Sequence, residues 1–211
     1  MIANPISSLI KSLAQYTRPY DYELFAAQHQ LRQTTHQGFF NIIVAAGSTF
    51  PTLAELHFGI RIDLVEQLVY QFTTGLAGYG PHSTTLIASS GRIVGQPYLR
   101  YPIDQVADVE TVAQQMKDFM WAEGFPFLQR YGGSEALDGL YNDNPTQKSS
   151  LLTNELNRSL RGIVLARLTH RSDWRYLVDT YRTLLTQRGT PESLIERYDQ
   201  LANYLQTFSV N

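Results

Sequence analysis

Residues 38–72 read GFFNIIVAAGSTFPTLAELHFGIRIDLVEQLVYQF, and this stretch decides the fold. It contains two apolar runs joined by a short loop, and the hydrophobic period of the second run changes near Asp63. Before Asp63, apolar and polar residues alternate, which is the period of a half-buried strand. After Asp63, apolar residues recur at the spacing of one helical stripe. The stretch therefore predicts two strands, the second of which leads directly into a helix.

The second predicted strand, Ala54 to Ile62, has an apolar side and a polar side. The apolar side consists of Leu56, Phe58, Ile60 and Ile62. The polar side consists of Glu55, His57, Gly59 and Arg61. Asp63 followed by Glu66 resembles a capping box, in which the two side chains would satisfy free amides of the first helical turn.

Composition limits the class of protein and the class of partner. Of the 211 residues, 43% are hydrophobic and 17% are charged, which excludes a disordered chain. The net charge of −2 gives no electrostatic reason to expect nucleic acid as a partner. No cluster of lysine and arginine indicates a membrane surface, and no apolar run is long enough to span a bilayer. With zero cysteines and no recognisable secretion signal, we expect a cytoplasmic protein.

The remaining periodicities predict an α+β fold. Asn4 and Pro5 favour the start of a helix that ends near Tyr16, and a strand from Tyr20 to Gln33 is expected to pair with residues 39–46. Further strands are expected at residues 84–88, 92–94 and 98–101, in meander order. The predicted fold is an antiparallel twisted sheet of about five strands with helices on one face, followed by a C-terminal three-helix bundle.

Later segments supply the helices and a domain boundary. A helix beginning at Asp108 is expected to stop at Gly124, with Pro126 beyond it. Residues 142–148 read NDNPTQK, a polar run with proline that is typical of a boundary. We therefore predict an α+β sheet domain over residues 1–141 and a helical subdomain over residues 149–211 packed on it.

Several kinds of active site lack their sequence signature. The chain has five histidines but no HExxH motif and no cysteine, so we predict no metal site and no cofactor. The run GLAGYG at residues 75–80 follows a helix and precedes a strand, whereas a phosphate loop follows a strand and opens a helix. That run is therefore predicted to be a flexible connector.

The polar side of the second strand carries the candidate binding residues Glu55, His57 and Arg61. Three ionisable groups on alternate residues could bind an anion or transfer a proton. The competing interpretation is a solvated strand face with a cross-strand ion pair. The aromatic residues allow two interpretations as well, because most should lie in the core, whereas Tyr20, Tyr22, Tyr98 and Tyr101 could line a groove for a peptide or small ligand.

Three segments carry a resemblance to a known family. They are HFGIRIDLVEQLVYQF, DVETVAQQMKDFMWAEGFPFLQRYGGSEAL and RGIVLARLTHRSDWRYLVDTYRTLL. Their hydrophobic patterns, in the order in which they occur, resemble an uncharacterised bacterial family, domain of unknown function 4304. The resemblance covers most of the chain and implies an α+β architecture. It implies no activity and no functional residue.

The sequence leaves two functions open. The first is a non-enzymatic binding or protein-interaction module of a bacterium, of accessory or immunity type, with a possible protein partner. The alternative is a small-molecule-binding protein or enzyme that uses a groove between sheet and helices. The oligomeric state cannot be inferred from the sequence.

Overall fold

The computed structural model describes residues 4–73 and 80–209, and it confirms the predicted α+β class with an antiparallel sheet and a C-terminal helical region. Six strands occur in the described residues, in the spatial order β1-β2-β3-β4-β5, with β6 paired to β4. The strands are β1 (Glu23–Phe25), β2 (Gln30–Thr35), β3 (Gly38–Ala45), β4 (Thr52–Ile62), β5 (Leu86–Ser89) and β6 (Tyr101–Ile103). Strands β1 to β5 are neighbours in chain order, as the predicted meander requires. The single strand predicted from Tyr20 to Gln33 is wrong, because the 3-10 turn Ala26–Gln28 separates β1 from β2, which pair with each other.

Nine α-helices occur in the same part of the chain. They are α1 (Pro5–Thr17), α2 (Asp63–Gln71), α3 (Ser90–Ile93), α4 (Asp108–Phe119), α5 (Phe125–Tyr131), α6 (Ser134–Asn142), α7 (Glu155–Leu168), α8 (Trp174–Gln187) and α9 (Glu192–Thr207). A π-helical turn, Met120–Gly124, joins α4 to α5. Short 3-10 turns occupy Arg18–Tyr20, Ala26–Gln28 and Gly80–His82.

The chain forms two compact units, each assembled from two segments. Unit 1 contains Met1–Ile60 and Ile87–Arg130, and unit 2 contains Arg61–Leu86 and Tyr131–Asn211. The predicted helical subdomain over residues 149–211 belongs to unit 2, which also includes α2 and α6. Whether the chain divides into folding domains near residues 142–148 stays a prediction.

Unit 1 is built around the β2–β3 hairpin, which the sequence predicted. Leu31 pairs with Ile42, and Thr35 pairs with Gly38 at the turn. Helix α1 packs against α4 and against this hairpin. Its N-terminus is capped as the sequence indicated, because Asn4 Oδ1 accepts hydrogen bonds from the amides of Ile6 and Ser7. The core residues of α1 are Ile6, Leu9, Ile10 and Leu13.

The predicted helix stop at Gly124 is wrong. The chain remains helical from α4 through the π-helical turn into α5, with Gly124 as the last residue of that turn. Gly124 is buried against Phe58, and a Cβ atom at position 124 would overlap the Phe58 ring. This glycine therefore permits close packing of helix on strand rather than a left-handed helix end.

The predicted strand over residues 92–94 is also wrong, because α3 occupies this position. Gly91 lies so close to the backbone of Tyr98 and Leu99 that a Cβ would approach Leu99 N to 2.8 Å. Ser90 Oγ donates a hydrogen bond to Leu99 O at 3.1 Å. The helical turn thus packs beneath the segment that leads to β6, which begins only at Tyr101.

Unit 2 is a helical assembly around α7. Helices α7, α8 and α9 pack on one another, as the predicted three-helix bundle requires, and α2 and α6 also pack against α7. The apolar stripes of the bundle are buried, with Leu160, Leu177, Tyr181, Tyr198 and Leu201 at most 2% exposed. Gly189 ends α8 with a φ of 69°, a left-handed conformation that glycine adopts without strain.

The predicted capping box at the start of α2 is wrong. The residue before the helix is Ile62, and no side chain caps the first turn. Asp63 instead accepts a hydrogen bond from Arg61 Nε at 2.5 Å, and the buried Glu66 pairs with Arg161 of α7. Both carboxylates lie in the first turn of α2, where their negative charge interacts favourably with the positive end of the helix dipole.

A buried arginine joins α7 to the polar segment that follows α6. Arg158 is 3% exposed. Its guanidinium donates hydrogen bonds to the carbonyl oxygens of Tyr141, Asn144 and Gln147 at 2.6–3.1 Å. These bonds fix the NDNPTQK run in place. The run that looked like a loose boundary is therefore tied to the helix that follows it.

Of the glycine-rich run at residues 75–80, residues 75–79 lie outside the described residues. In the part of the chain that the structure describes, no helix is both long enough and apolar enough to cross a bilayer.

Candidate functional site

The structure brings together two of the three candidate residues from the sequence. Glu55 and His57 lie two residues apart on β4 in unit 1, with His57 Nε2 3.8 Å from Glu55 Oε2. Arg100 Nε lies 4.0 Å from the same oxygen. The side chains of His57 and Glu55 are 30% and 17% exposed, so this side of β4 is partly covered rather than solvated.

The environment of His57 favours the neutral imidazole. Burial lowers the pKa of His57 below its ordinary value, and the nearby Arg92 lowers it further, while Glu55 acts in the opposite direction. Burial is the largest of these influences. A neutral imidazole beside a carboxylate can accept or relay a proton.

The third candidate, Arg61, lies in unit 2, and its contacts there are those of a structural residue. The side chain is 7% exposed, and Nη1 donates to Gly80 O, Ser83 O and Ser83 Oγ at 2.7–2.9 Å. Together with the bond from Nε to Asp63, these contacts fix the chain around the 3-10 turn at residues 80–82. The predicted solvent-exposed side of the strand is therefore wrong at this position.

Unit 1 contains a pocket that lies apart from the candidate ionisable residues Glu55, His57 and Arg61. We call it the aromatic pocket, and its volume is about 400 Å³. Strands β2 and β3, the π-helical turn and α5 all contribute to it, so it lies between sheet and helices. Its lining residues are Tyr20, Tyr22, Gln33, Phe40, Trp121, Phe125, Pro126, Leu128 and Gln129.

Four aromatic rings form a contiguous wall of this pocket. The ring centroids of Tyr20 and Phe125 are 5.3 Å apart, those of Tyr22 and Phe125 are 5.9 Å apart, and those of Tyr20 and Trp121 are 6.2 Å apart. The interplanar angles of 34–48° are those of tilted pairs, a favourable aromatic geometry. Trp121 is 63% exposed and Tyr20 is 37% exposed, so large apolar surfaces face the solvent.

Hydrogen bonding and burial hold the sheet side of the pocket in place. Gln33 Nε2 donates to Tyr20 O at 2.9 Å, which ties the end of the 3-10 turn to β2. Phe40 is the cross-strand partner of Gln33 in the β2–β3 hairpin. Burial raises the pKa of the Tyr22 hydroxyl, so the hydroxyl stays protonated and neutral. The pocket lining contains no charged residue.

A second depression, of about 580 Å³, adjoins the first. We call it the edge cleft, because it lies between α1 and the outermost strand β1. Tyr22 lines both the edge cleft and the aromatic pocket. The edge cleft differs from the pocket in carrying charge. Its lining residues are Ala14, Gln15, Arg18, Asp21, Tyr22, Glu23 and Leu24.

The four tyrosines considered as groove residues have different positions. Tyr20 and Tyr22 line the aromatic pocket, Tyr98 is 66% exposed with Arg100 over its ring at 4.4 Å, and Tyr101 is buried in β6.

Sequence reasoning missed Trp121. A signal was present, because Trp121 follows Gln114, Lys117 and Asp118 on the polar side of α4 rather than on the apolar stripe.

No metal-binding cluster occurs in the part of the chain that the structure describes, where no three His, Cys, Asp or Glu side chains are grouped to hold an ion. What the described residues offer is surface for binding, concentrated at the aromatic pocket and the edge cleft.

Comparison with known proteins identifies no relative. The chain matches no protein-family profile, no curated protein and no solved structure. The resemblance to domain of unknown function 4304 stays a prediction.

Proposed function

We propose that the protein is a non-enzymatic binding module that recognises a protein partner, and that the aromatic pocket of unit 1 is its recognition site. The observation that carries the proposal is the exposure of Trp121 and Tyr20 at the mouth of a neutral pocket. Exposed tryptophan and tyrosine are enriched among the residues that contribute most to protein–protein binding. A partner inserting an apolar side chain would cover both rings.

The chemistry around β4 supports binding better than catalysis. Glu55 and His57 form a pair with Arg100 nearby, and Arg61 is committed to hydrogen bonds within unit 2. An accessory or immunity-type role in a bacterium fits a module that acts by occupying a partner. Glu55 and His57 remain candidate partner-binding residues, while the contacts of Arg61 support a structural role.

Affinity capture with matched variants tests this proposal. The immobilised protein is compared with Trp121→Ala and with Tyr98→Ala, which removes an aromatic ring of similar exposure outside the pocket. Proteins captured from bacterial lysate are quantified by mass spectrometry. We expect at least one protein to be captured by wild type and Tyr98→Ala and lost with Trp121→Ala. Equal capture by all three proteins would remove the aromatic pocket from the proposal.

The alternative function, small-molecule binding or catalysis in a groove between sheet and helices, has one observation in its favour. The aromatic pocket has a volume of about 400 Å³, within the range of small-ligand sites. A thermal-shift screen against metabolites separates the alternatives, since a small-molecule protein should show a hit that Trp121→Ala abolishes. A hit that disappears instead with His57→Ala would move the site to β4.

A further inference from the structure

We infer that the partner presents an extended polypeptide segment that adds as a strand to the outer edge of β1, with an apolar side chain in the aromatic pocket and a lysine or arginine in the edge cleft. This inference rests on the proposed function and specifies the chemistry of the partner. Three observations carry it: the edge position of β1, the lining residue that the two depressions share, and the charge of the edge cleft.

The first observation is the position of β1 in the sheet. β1 pairs with β2 on one side and ends the strand order, so its other side faces no strand among the described residues. Glu23 and Leu24 of β1 line the edge cleft, together with Ala14 and Gln15 of α1. A groove between an edge strand and a helix accepts an extended peptide, because the backbone groups of the strand can pair with the peptide backbone.

The second observation is that the two depressions share one lining residue. Tyr22 lines both, and it lies immediately before β1. Successive side chains of an added strand would point to opposite faces of the sheet, and those on one face would be about two residues apart. A segment lying along β1 can therefore direct one side chain past Tyr22 into the aromatic pocket while a neighbouring one stays in the cleft.

The third observation is charge. The edge cleft is lined by the carboxylates of Asp21 and Glu23 and by one guanidinium, that of Arg18. Asp21 and Glu23 form no ion pair within residues 4–73 and 80–209. The cross-strand neighbour of Glu23 is Arg32, whose guanidinium lies over the rings of Phe25 and Phe39 at 4.5 and 3.9 Å. The surplus of negative charge favours a cationic side chain on the partner.

Panning a phage-displayed library of random linear peptides tests the inference. The probe is the library itself, presented to the full-length protein after depletion on Trp121→Ala. We expect enriched peptides that combine an aromatic or large aliphatic residue with a lysine or arginine within a few positions. Amide hydrogen exchange at residues 23–25 should slow when a synthetic peptide of the enriched sequence binds, because strand addition protects backbone amides.

Affinity measurements on that peptide separate the two subsites. Trp121→Ala should weaken binding about tenfold or more, as expected for an aromatic anchor. Asp21→Asn and Glu23→Gln should each weaken it roughly two- to fivefold, with a smaller dependence on salt, because exposed charge pairs contribute modestly and are screened. Asp104 is exposed and lies outside both depressions, and Asp104→Asn removes one negative charge, as Asp21→Asn does. This control variant should leave the affinity unchanged.

The contradicting outcomes are distinct from those for the proposed function. Enriched peptides without a basic residue, indifference to Asp21→Asn and Glu23→Gln, or unchanged amide exchange at residues 23–25 would each overturn strand addition with a cationic contact. Panning that enriches no peptide, while lysate capture still depends on Trp121, would also overturn it and leave the binding module standing. Loss of Trp121 dependence in both experiments would overturn the proposed function itself.

Discussion

Glu66 of α2 and Arg161 of α7 form a bidentate ion pair in unit 2. Arg161 Nε and Nη2 each donate a hydrogen bond to one oxygen of the Glu66 carboxylate at 2.8 Å. The side chain of Glu66 is 2% exposed and that of Arg161 is 12% exposed. Because two charges have been removed from water together, each depends on the other for its solvation. This dependence makes the pair a sensitive test of the architecture of unit 2.

Removing one member of the pair should destabilise unit 2 strongly. We expect Arg161→Met to lower the free energy of unfolding by about 3–5 kcal/mol, because the Glu66 carboxylate then stays buried without its cation. The double variant Glu66→Leu with Arg161→Met should recover much of this loss. Urea unfolding followed by circular dichroism measures both values. Arg182→Met, which breaks the exposed pair with Asp199, serves as a control with little expected effect.

A side chain at position 124 should destabilise the protein, because the Phe58 ring occupies the space that a Cβ atom would need. We expect Gly124→Ala to cost about 1–3 kcal/mol, because the added methyl group would force the Phe58 ring out of its packed position. Ala122→Ser, at an exposed position of the same π-helical turn, should change stability by less than about 0.5 kcal/mol. Thermal melting measures both. A Gly124→Ala protein as stable as wild type would contradict the observed contact.

The lowered pKa of His57 should make stability depend on pH. The folded state binds fewer protons at His57 than the unfolded state near and below pH 6.5, so the free energy of unfolding should fall as pH drops through 6.5 and level off below the folded pKa. His57→Asn should lose less stability than wild type between about pH 7 and 5. Titration of the His57 imidazole by NMR provides a direct check, and a midpoint above 6.5 would contradict the prediction.

A fragment limited to residues 149–211 should fail to fold cooperatively. It contains α7, α8 and α9 but lacks Glu66, the partner of Arg161, and the carbonyl groups of residues 141–147 that hold Arg158. It also lacks α2 and α6, which pack against α7. Circular dichroism melting of the fragment should show a broad transition. A sharp transition like that of the full chain would instead support the predicted boundary near residues 142–148.

The sequence was most informative where a contact is local. The β2–β3 hairpin, the Asn4 cap and the stripes of α7, α8 and α9 were all legible, because their residues are close in the chain or recur with the period of one element. The predictions that were wrong concern residues whose contacts lie far away in the sequence. Glu66 suited a local cap, yet its partner lies 95 residues away, and Gly124 suited a helix end, yet the Phe58 ring determines its role.

The same distinction explains the candidate site. Alternation along β4 correctly placed Glu55 beside His57, but the burial of Arg61 depends on the chain at residues 80–83, which no periodicity reveals. The aromatic pocket draws residues from positions 20–40 and 121–129, so its existence depends on tertiary packing. Tyr20 and Tyr22 were predicted as possible groove residues, whereas Trp121 was missed although it continues the polar side of α4.

The division of the chain into units has a consequence for synthesis on the ribosome. The polypeptide passes from one unit to the other after Ile60, after Leu86 and after Arg130. At roughly 5–20 residues per second, Glu66 emerges roughly 5–20 seconds before Arg161. During that interval the apolar side of α2, which includes Val65, Leu68 and Val69, has no α7 to cover it, so this surface of the nascent chain is open to a chaperone.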